Sequence, residues 1–179
     1  MIFRRTGIDG VVIVDQERRE DSRGWFSRTF CMEEFAEFGL AIEFPQCSTS
    51  YNERRGTLRG LHYQAAPCGE AKLIRCTRGR VFDVAVDLRP ASPTRGRWTA
   101  AELSAENGRM IYIPEGCAHG FQTLEDASEL FYQISVPHSP AHSRGVRWDD
   151  PAIGIDWPLA TPILNERDRA LPLAGETVC

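Results

Sequence analysis

The sequence contains no long apolar run: charged residues interrupt every hydrophobic stretch well before the ~20 residues that a membrane-spanning helix needs. Its first ten residues, MIFRRTGIDG, lack the apolar segment and small-residue cleavage site of a secretory leader. The chain is therefore expected in the cytoplasm, with no membrane partner. No CxxC pair occurs among the six cysteines, at 31, 47, 68, 76, 117 and 179. A structural zinc site is not expected, and in a reducing compartment the thiols serve as small apolar side chains. A basic excess is missing too: 21 Lys and Arg stand against 25 Asp and Glu, a formal charge of −4. The arginines are scattered or in short pairs such as Arg54–Arg55, which argues against a nucleic-acid partner. Neither GxGxxG nor GxxxxGK[ST] appears, and strands do not alternate with long helices. That sets aside a dinucleotide fold and a P-loop nucleotide triphosphatase. There is no repeat at solenoid period and no low-complexity segment.

What is present reads as one all-β domain over 1–179, a length that supports a single substantial core. Short segments rich in β-branched and aromatic residues recur: GVVIV (10–14), TLRGLHYQ (57–64), AKLIRC (71–76), RVFDVAVDL (80–88), RMIYIP (109–114), AHGFQTL (118–124) and ELFYQISV (129–136). Turn-forming clusters such as PCGE, TRGR, AENGR and PEGC separate them. Many short strands with frequent turns predict a β-sandwich or barrel. One clear helix is expected, CMEEFAEFGL (31–40), with Phe35 and Phe38 on one face and Gly39 at its end. After residue 146 prolines at 151, 158, 162 and 172 forbid a long helix, and this part is expected to pack over the barrel as an excursion.

Strand alternation groups the polar residues by face. It places His62 with Leu58, Gly60 and Gln64; Lys72 with Glu70 and Ile74; Asp83 with Val81, Ala85 and Asp87. His119 falls with Phe121 and Thr123, and Tyr132 with Leu130 and Ile134. Each alone has an ordinary structural explanation: a satisfied core histidine, a surface ion pair, a core tyrosine with its hydroxyl at the rim. Together they place two histidines, a lysine, an aspartate and a tyrosine on separate strands of one small barrel, whose mouth is where small ligands bind. Such a site would hold a base (His62), a cation for a developing oxyanion (Lys72) and an acid (Tyr132). Arg59 and His62 are three residues apart, so an ideal strand points them to opposite faces. A bulge at Gly60, or service by Arg59 to a neighbouring subunit, would each account for that spacing.

The stretches DSRGWFSRTF (21–30), GTLRGLHYQ (56–64), EAKLIRCTRGRVFDVAVDLRPASPT (70–94), RMIYIPEGCAHGFQTL (109–124), ELFYQIS (129–135), RGVRWDDP (144–151), IDWP (155–158) and NERD (165–168) together resemble the dTDP-4-dehydrorhamnose 3,5-epimerase family of the cupin superfamily. The resemblance implies a double-stranded β-helix, or cupin jelly roll, with a few short peripheral helices, in a homodimer. It implies metal-free, cofactor-independent epimerisation beside the C4 ketone of a nucleotide-diphosphate 4-keto-6-deoxysugar, in deoxysugar precursor biosynthesis. By motif, His62 is the proton acceptor, Asp168 its orienting partner, Tyr132 the proton donor and Lys72 the enolate stabiliser. Arg59 and His119 contact substrate, Arg23 and Arg167 lie near the diphosphate, and Asp83 stands behind His62. Arg28, Gln46 and Ser48 fall on the ligand-binding side.

The departures from the family pattern fall on that side. Arg28 and Ser143 stand where many members have Glu, Ser48 where they have Asn, and His138 where they often have Tyr. The proton-transfer residues match. The departures are open to two explanations, a nucleotide other than dTDP or drift in a tolerant pocket. Two other functions compete. A metal-dependent cupin could draw ligands from His62, Glu70 and His119, although IPEGCAH matches only the second cupin box and Lys72 would repel a cation. A sugar-nucleotide-binding protein without turnover is the other.

Overall fold

Residues 1–175 are described by a computed structural model and form thirteen strands and two short α-helices. In chain order these are β1 (Ile2–Arg5), β2 (Val12–Asp15), β3 (Arg19–Asp21), β4 (Gly24–Phe26), α1 (Met32–Glu37), β5 (Gln46–Asn52), β6 (Leu58–Gln64), β7 (Lys72–Arg78), β8 (Arg80–Asp87), β9 (Trp98–Ser104), β10 (Met110–Ile113), β11 (Cys117–Thr123), β12 (Ser128–Ile134), β13 (Ser143–Gly145) and α2 (Glu166–Arg169). Six strands make one antiparallel sheet in the order β1-β2-β10-β7-β12-β5, and five make a second, β13-β6-β11-β8-β9. The two sheets pack face to face as the expected jelly roll. The pair β3–β4 joins neither and stands as a separate two-stranded arm.

The core between the sheets follows the period-two pattern. Ile74, Ile111 and Leu130 of the first sheet meet Val81, Leu103 and Phe121 of the second, and none is more than 1% exposed. β8 reads as an almost continuous apolar run because both of its faces are covered. Val81 and Ala85 point into the core, while Val84 and Val86 point outward and are buried by Val146 and Ile153 of the C-terminal excursion. Trp157 of that excursion lies edge-on to Phe82 at 6.1 Å. The outer face of the first sheet is covered differently. Helix α1 has six residues, too few to be stable alone. It is held by Phe35, which packs edge-on against Phe3, Phe30 and Phe44 and beneath Tyr112.

Every strand expected from hydrophobic pattern is present within a few residues of its expected bounds. β1, β3, β4, β5, β9 and β13 were not legible. β5 (QCSTSYN) shows why: only its last residue is buried, so it carries no apolar stripe to detect. The described cysteines, 31, 47, 68, 76 and 117, are free thiols; Cys179 lies outside the described residues.

Candidate active site

The chemistry-bearing side chains gather between the sheets, and a bulge sets their arrangement. In the β6–β11 pairing His62 lies opposite His119 and Arg59 opposite Phe121. β6 takes three steps between those pairs where β11 takes two. The extra residue at Gly60–Leu61 returns Arg59 to the face that carries His62. It also separates Leu58 from His62, against simple alternation. Glycine is required there: Gly60 has φ 136°, and a Cβ on it would lie 2.5 Å from the Gly120 Cα. Of the two explanations for the Arg59–His62 spacing, the bulge is the one the chain adopts, and Arg59 donates to Asn52 Oδ1 of its own β5 at 2.8 Å.

His62 Nε2 lies 2.8 Å from Asp168 Oδ1. Asp168 comes from α2, whose first turn is held by Asn165: its side-chain oxygen accepts the Asp168 N–H at 2.7 Å. The second Asp168 oxygen accepts the Gly60 N–H at 3.2 Å. One buried carboxylate thus fixes both the imidazole and the bulge that aims it. Burial opposes ionisation of Asp168, but the His62 hydrogen bond and charge, the Gly60 N–H and Arg167 outweigh it, and the carboxyl is held below the ordinary aspartate range. The His62 side chain is 35% exposed, so the other face of its ring is open to a ligand.

Lys72 starts β7 and is 8% exposed. Its Nζ pairs with Glu70 Oε1 at 2.9 Å and donates to the His62 carbonyl at 3.3 Å. Asp83 requires a correction. Expected behind His62, it instead bonds His119, with both carboxylate oxygens 2.9–3.0 Å from Nε2. The register explains this: Asp83 and His119 are on neighbouring strands β8 and β11, whereas β6 lies beyond β11. Burial raises the Asp83 pKa, against the charges of His119 and Lys72.

Tyr132 comes from the opposite sheet, its ring edge-on to His119 at 5.9 Å. Burial, reinforced by the charge of Asp83, pushes its phenol far above the ordinary tyrosine value, and Arg59 acts against that rise. Ser48 is registered opposite Tyr132 on β5. Gln46, on the same face of β5, accepts the His138 N–H at 2.9 Å. Arg167 is exposed and donates to Ser143 Oγ at 3.0 Å. A cavity of about 350 Å³ meets this group only at Arg59 and its partner Asn52, with Arg54 on its wall. A larger one, about 570 Å³, lies outside the group, against Tyr63, Arg89 and Arg144.

Arg23 and Arg28 do not join the cluster in their own chain. Arg23 sits in the β3–β4 arm, 88% exposed, and pairs with Asp21 at 2.7 Å. Arg28 pairs with Glu34 at 2.8 Å. His62, Glu70 and His119 each face a different partner, Asp168, Lys72 and Asp83. Among the described residues no group of three or more His, Cys, Asp or Glu is arranged to hold a metal ion. One contributor escaped the sequence reading: Asn52, which orients Arg59 and has no pattern to reveal it. Glu70, read there as a strand-face neighbour of Lys72 and a candidate metal ligand, pairs with Lys72 instead.

Residues 5–176 match the family model for dTDP-4-dehydrorhamnose 3,5-epimerase. The chain belongs to that family. The dTDP-4-dehydrorhamnose 3,5-epimerase of Sinorhizobium fredii is 44% identical over 173 residues, 96% of this chain and 89% of the relative. The crystal structure of NovW, a 4-keto-6-deoxy sugar epimerase from the novobiocin gene cluster of Streptomyces spheroides, matches with a TM-score of 0.94 at 41% identity, over 98% of this chain and 88% of NovW. The epimerase of Legionella pneumophila, solved with dTDP-4-keto-L-rhamnose, matches with a TM-score of 0.92 at 36% identity, over 98% of this chain and 93% of that one. The β3–β4 arm, every strand from β2 onward and α2 fall within the span of the epimerase family match.

Proposed function

We propose that this protein epimerises a dTDP-linked 4-keto-6-deoxyhexose at C3, C5 or both. The observation that carries the reading is the 2.8 Å His62–Asp168 pair, with Lys72 bonded to the same histidine's carbonyl and Tyr132 on the facing sheet. His62 takes the proton from the carbon beside the ketone. The C–H electron pair moves into the C4 oxygen, whose negative charge the Lys72 ammonium stabilises. Asp168 holds the imidazole's orientation and stabilises the imidazolium. Inversion requires the new proton from the other face of the ring, and Tyr132 supplies it. Its raised pKa keeps the phenol protonated at rest. Arg59, beside it, eases the brief phenolate. Exchange with solvent resets both groups.

The dTDP nucleotide is supported by the relatives, which are named for dTDP sugars. The exposed arm supports a homodimer: Trp25 is 50% exposed and Phe26 75%, the mark of an interaction surface. A charged sugar nucleotide does not cross a membrane unaided, which supports cytoplasmic work by a single domain. No helix of the described residues is long and apolar enough to span a membrane.

Solvent deuterium incorporation into dTDP-4-keto-6-deoxyglucose, followed by NMR at each carbon, tests the reading. Exchange at C3 or C5 that disappears in His62→Ala is expected. No exchange by the native protein would refute it.

A further inference from the structure

We propose that Glu70 is a positioning residue, which aims the Lys72 ammonium at the place of the substrate's C4 oxygen. This rests on the epimerase reading and gives a role within it to a residue read from sequence as a neighbour of Lys72 and a candidate metal ligand.

A lysine ammonium is a compact charge on a flexible four-carbon stem. Left to itself it would sample many orientations, which does not suit a group that must meet charge developing at one oxygen. Lys72 is constrained twice. Glu70 Oε1 takes one N–H at 2.9 Å and the His62 carbonyl takes another at 3.3 Å. An ammonium has three donors, so one remains for the ligand. The Glu70 side chain is 9% exposed and the Lys72 side chain 10%, so water competes little for this pair. The geometry is written into the chain: Glu70 precedes β7 by two residues, which puts it on the Lys72 face. The bond to His62 ties the ammonium to the strand carrying the base, so base and cation keep one spacing. Asp83, the other carboxylate whose charge reaches Lys72, is bound to His119 and leaves Glu70 as the direct partner.

The proposal has a signature. Enolates toward C3 and toward C5 share the C4 oxygen. Loss of aim at that oxygen slows both carbons by the same factor, whereas loss of an acid or base on one face need not.

The test measures kcat, KM and deuterium exchange at C3 and C5 for Glu70→Ala, Glu70→Gln, Lys72→Ala and the double Ala variant, with a thermal melt of each. Glu70→Ala is expected to lower kcat roughly 10- to 100-fold with little change in KM, and exchange at every carbon the native protein exchanges by one shared factor. Glu70→Gln keeps the acceptor oxygen and should recover most of the rate. In the Lys72→Ala background, Glu70→Ala should cost nothing further. The proposal is overturned by a Glu70→Ala variant at the native rate, by a loss in KM alone, by losses that add to that of Lys72→Ala, or by a folded Glu70→Gln variant as slow as Lys72→Ala. If Glu70→Ala does not fold, the Gln variant decides. A native protein that exchanges neither carbon overturns the epimerase reading and this proposal together; native exchange with indifferent Glu70 variants overturns only this one.

Discussion

His62 and Asp168 are 106 residues apart in the chain and 2.8 Å apart in the fold. The same carboxylate also accepts the Gly60 N–H, so the base and the backbone bulge that points it share a single anchor.

Replacing that anchor should therefore damage catalysis and remove stability at neutral pH that the native protein loses in acid. Asp168→Asn is expected to lower kcat by about 100-fold or more, because the imidazolium loses its counter-charge. The stability effect has a definite sign. The folded carboxyl sits below its ordinary value, so its contribution is present above about pH 4, the unfolded value, and is lost as pH falls through the folded one. Melting temperature followed from pH 7 to pH 3 should fall more steeply in the native protein than in the variant. Parallel curves would show that Asp168 is not held ionised by its partners.

Tyr132→Phe separates the two faces of the reaction. Proton removal by His62 survives, so deuterium exchange should persist while inverted product falls by roughly 100-fold. Equal loss of both would count against Tyr132 as the opposite-face acid. The native phenol is pushed well above the ordinary tyrosine value of about 10 by burial and Asp83. The rate should therefore show no alkaline limb from Tyr132 up to that pH.

Gly60→Ala asks for a Cβ 2.5 Å from the Gly120 Cα at a φ of 136°. Two backbones must part to admit it. A loss of about 2–4 kcal/mol is expected in urea unfolding, with activity reduced in whatever remains folded, since Arg59 and His62 lose their common face. A variant as stable as the native protein would show that the bulge tolerates a side chain.

The β3–β4 arm pairs with neither sheet, so a charge placed on it should spare the fold. Phe26→Asp is expected to leave the melting temperature of the isolated chain little changed and to shift the sedimenting species from dimer to monomer. A native protein that sediments as a monomer would remove the dimer from the proposal.

Most strands of the core were legible in the sequence because their apolar residues repeat at period two; β9, which carries Leu103 into the core, was not. The jelly roll's covered β8 was legible as an apolar run. The identities of His62, Lys72, Tyr132 and Asp168 came from motif, since residue types suited to enolate chemistry recur there in family order. Tertiary structure decided the rest. The polar strand β5 forms because its neighbour β12 offers a ladder, with no apolar stripe to announce it. Arg59 faces His62 because a bulge resets alternation, and Asp83 serves His119 because strand order, which local sequence does not encode, sets those two side by side. Residue chemistry is local and can be read one motif at a time. Which carboxylate meets which imidazole depends on long-range pairing, and only the folded chain makes that choice.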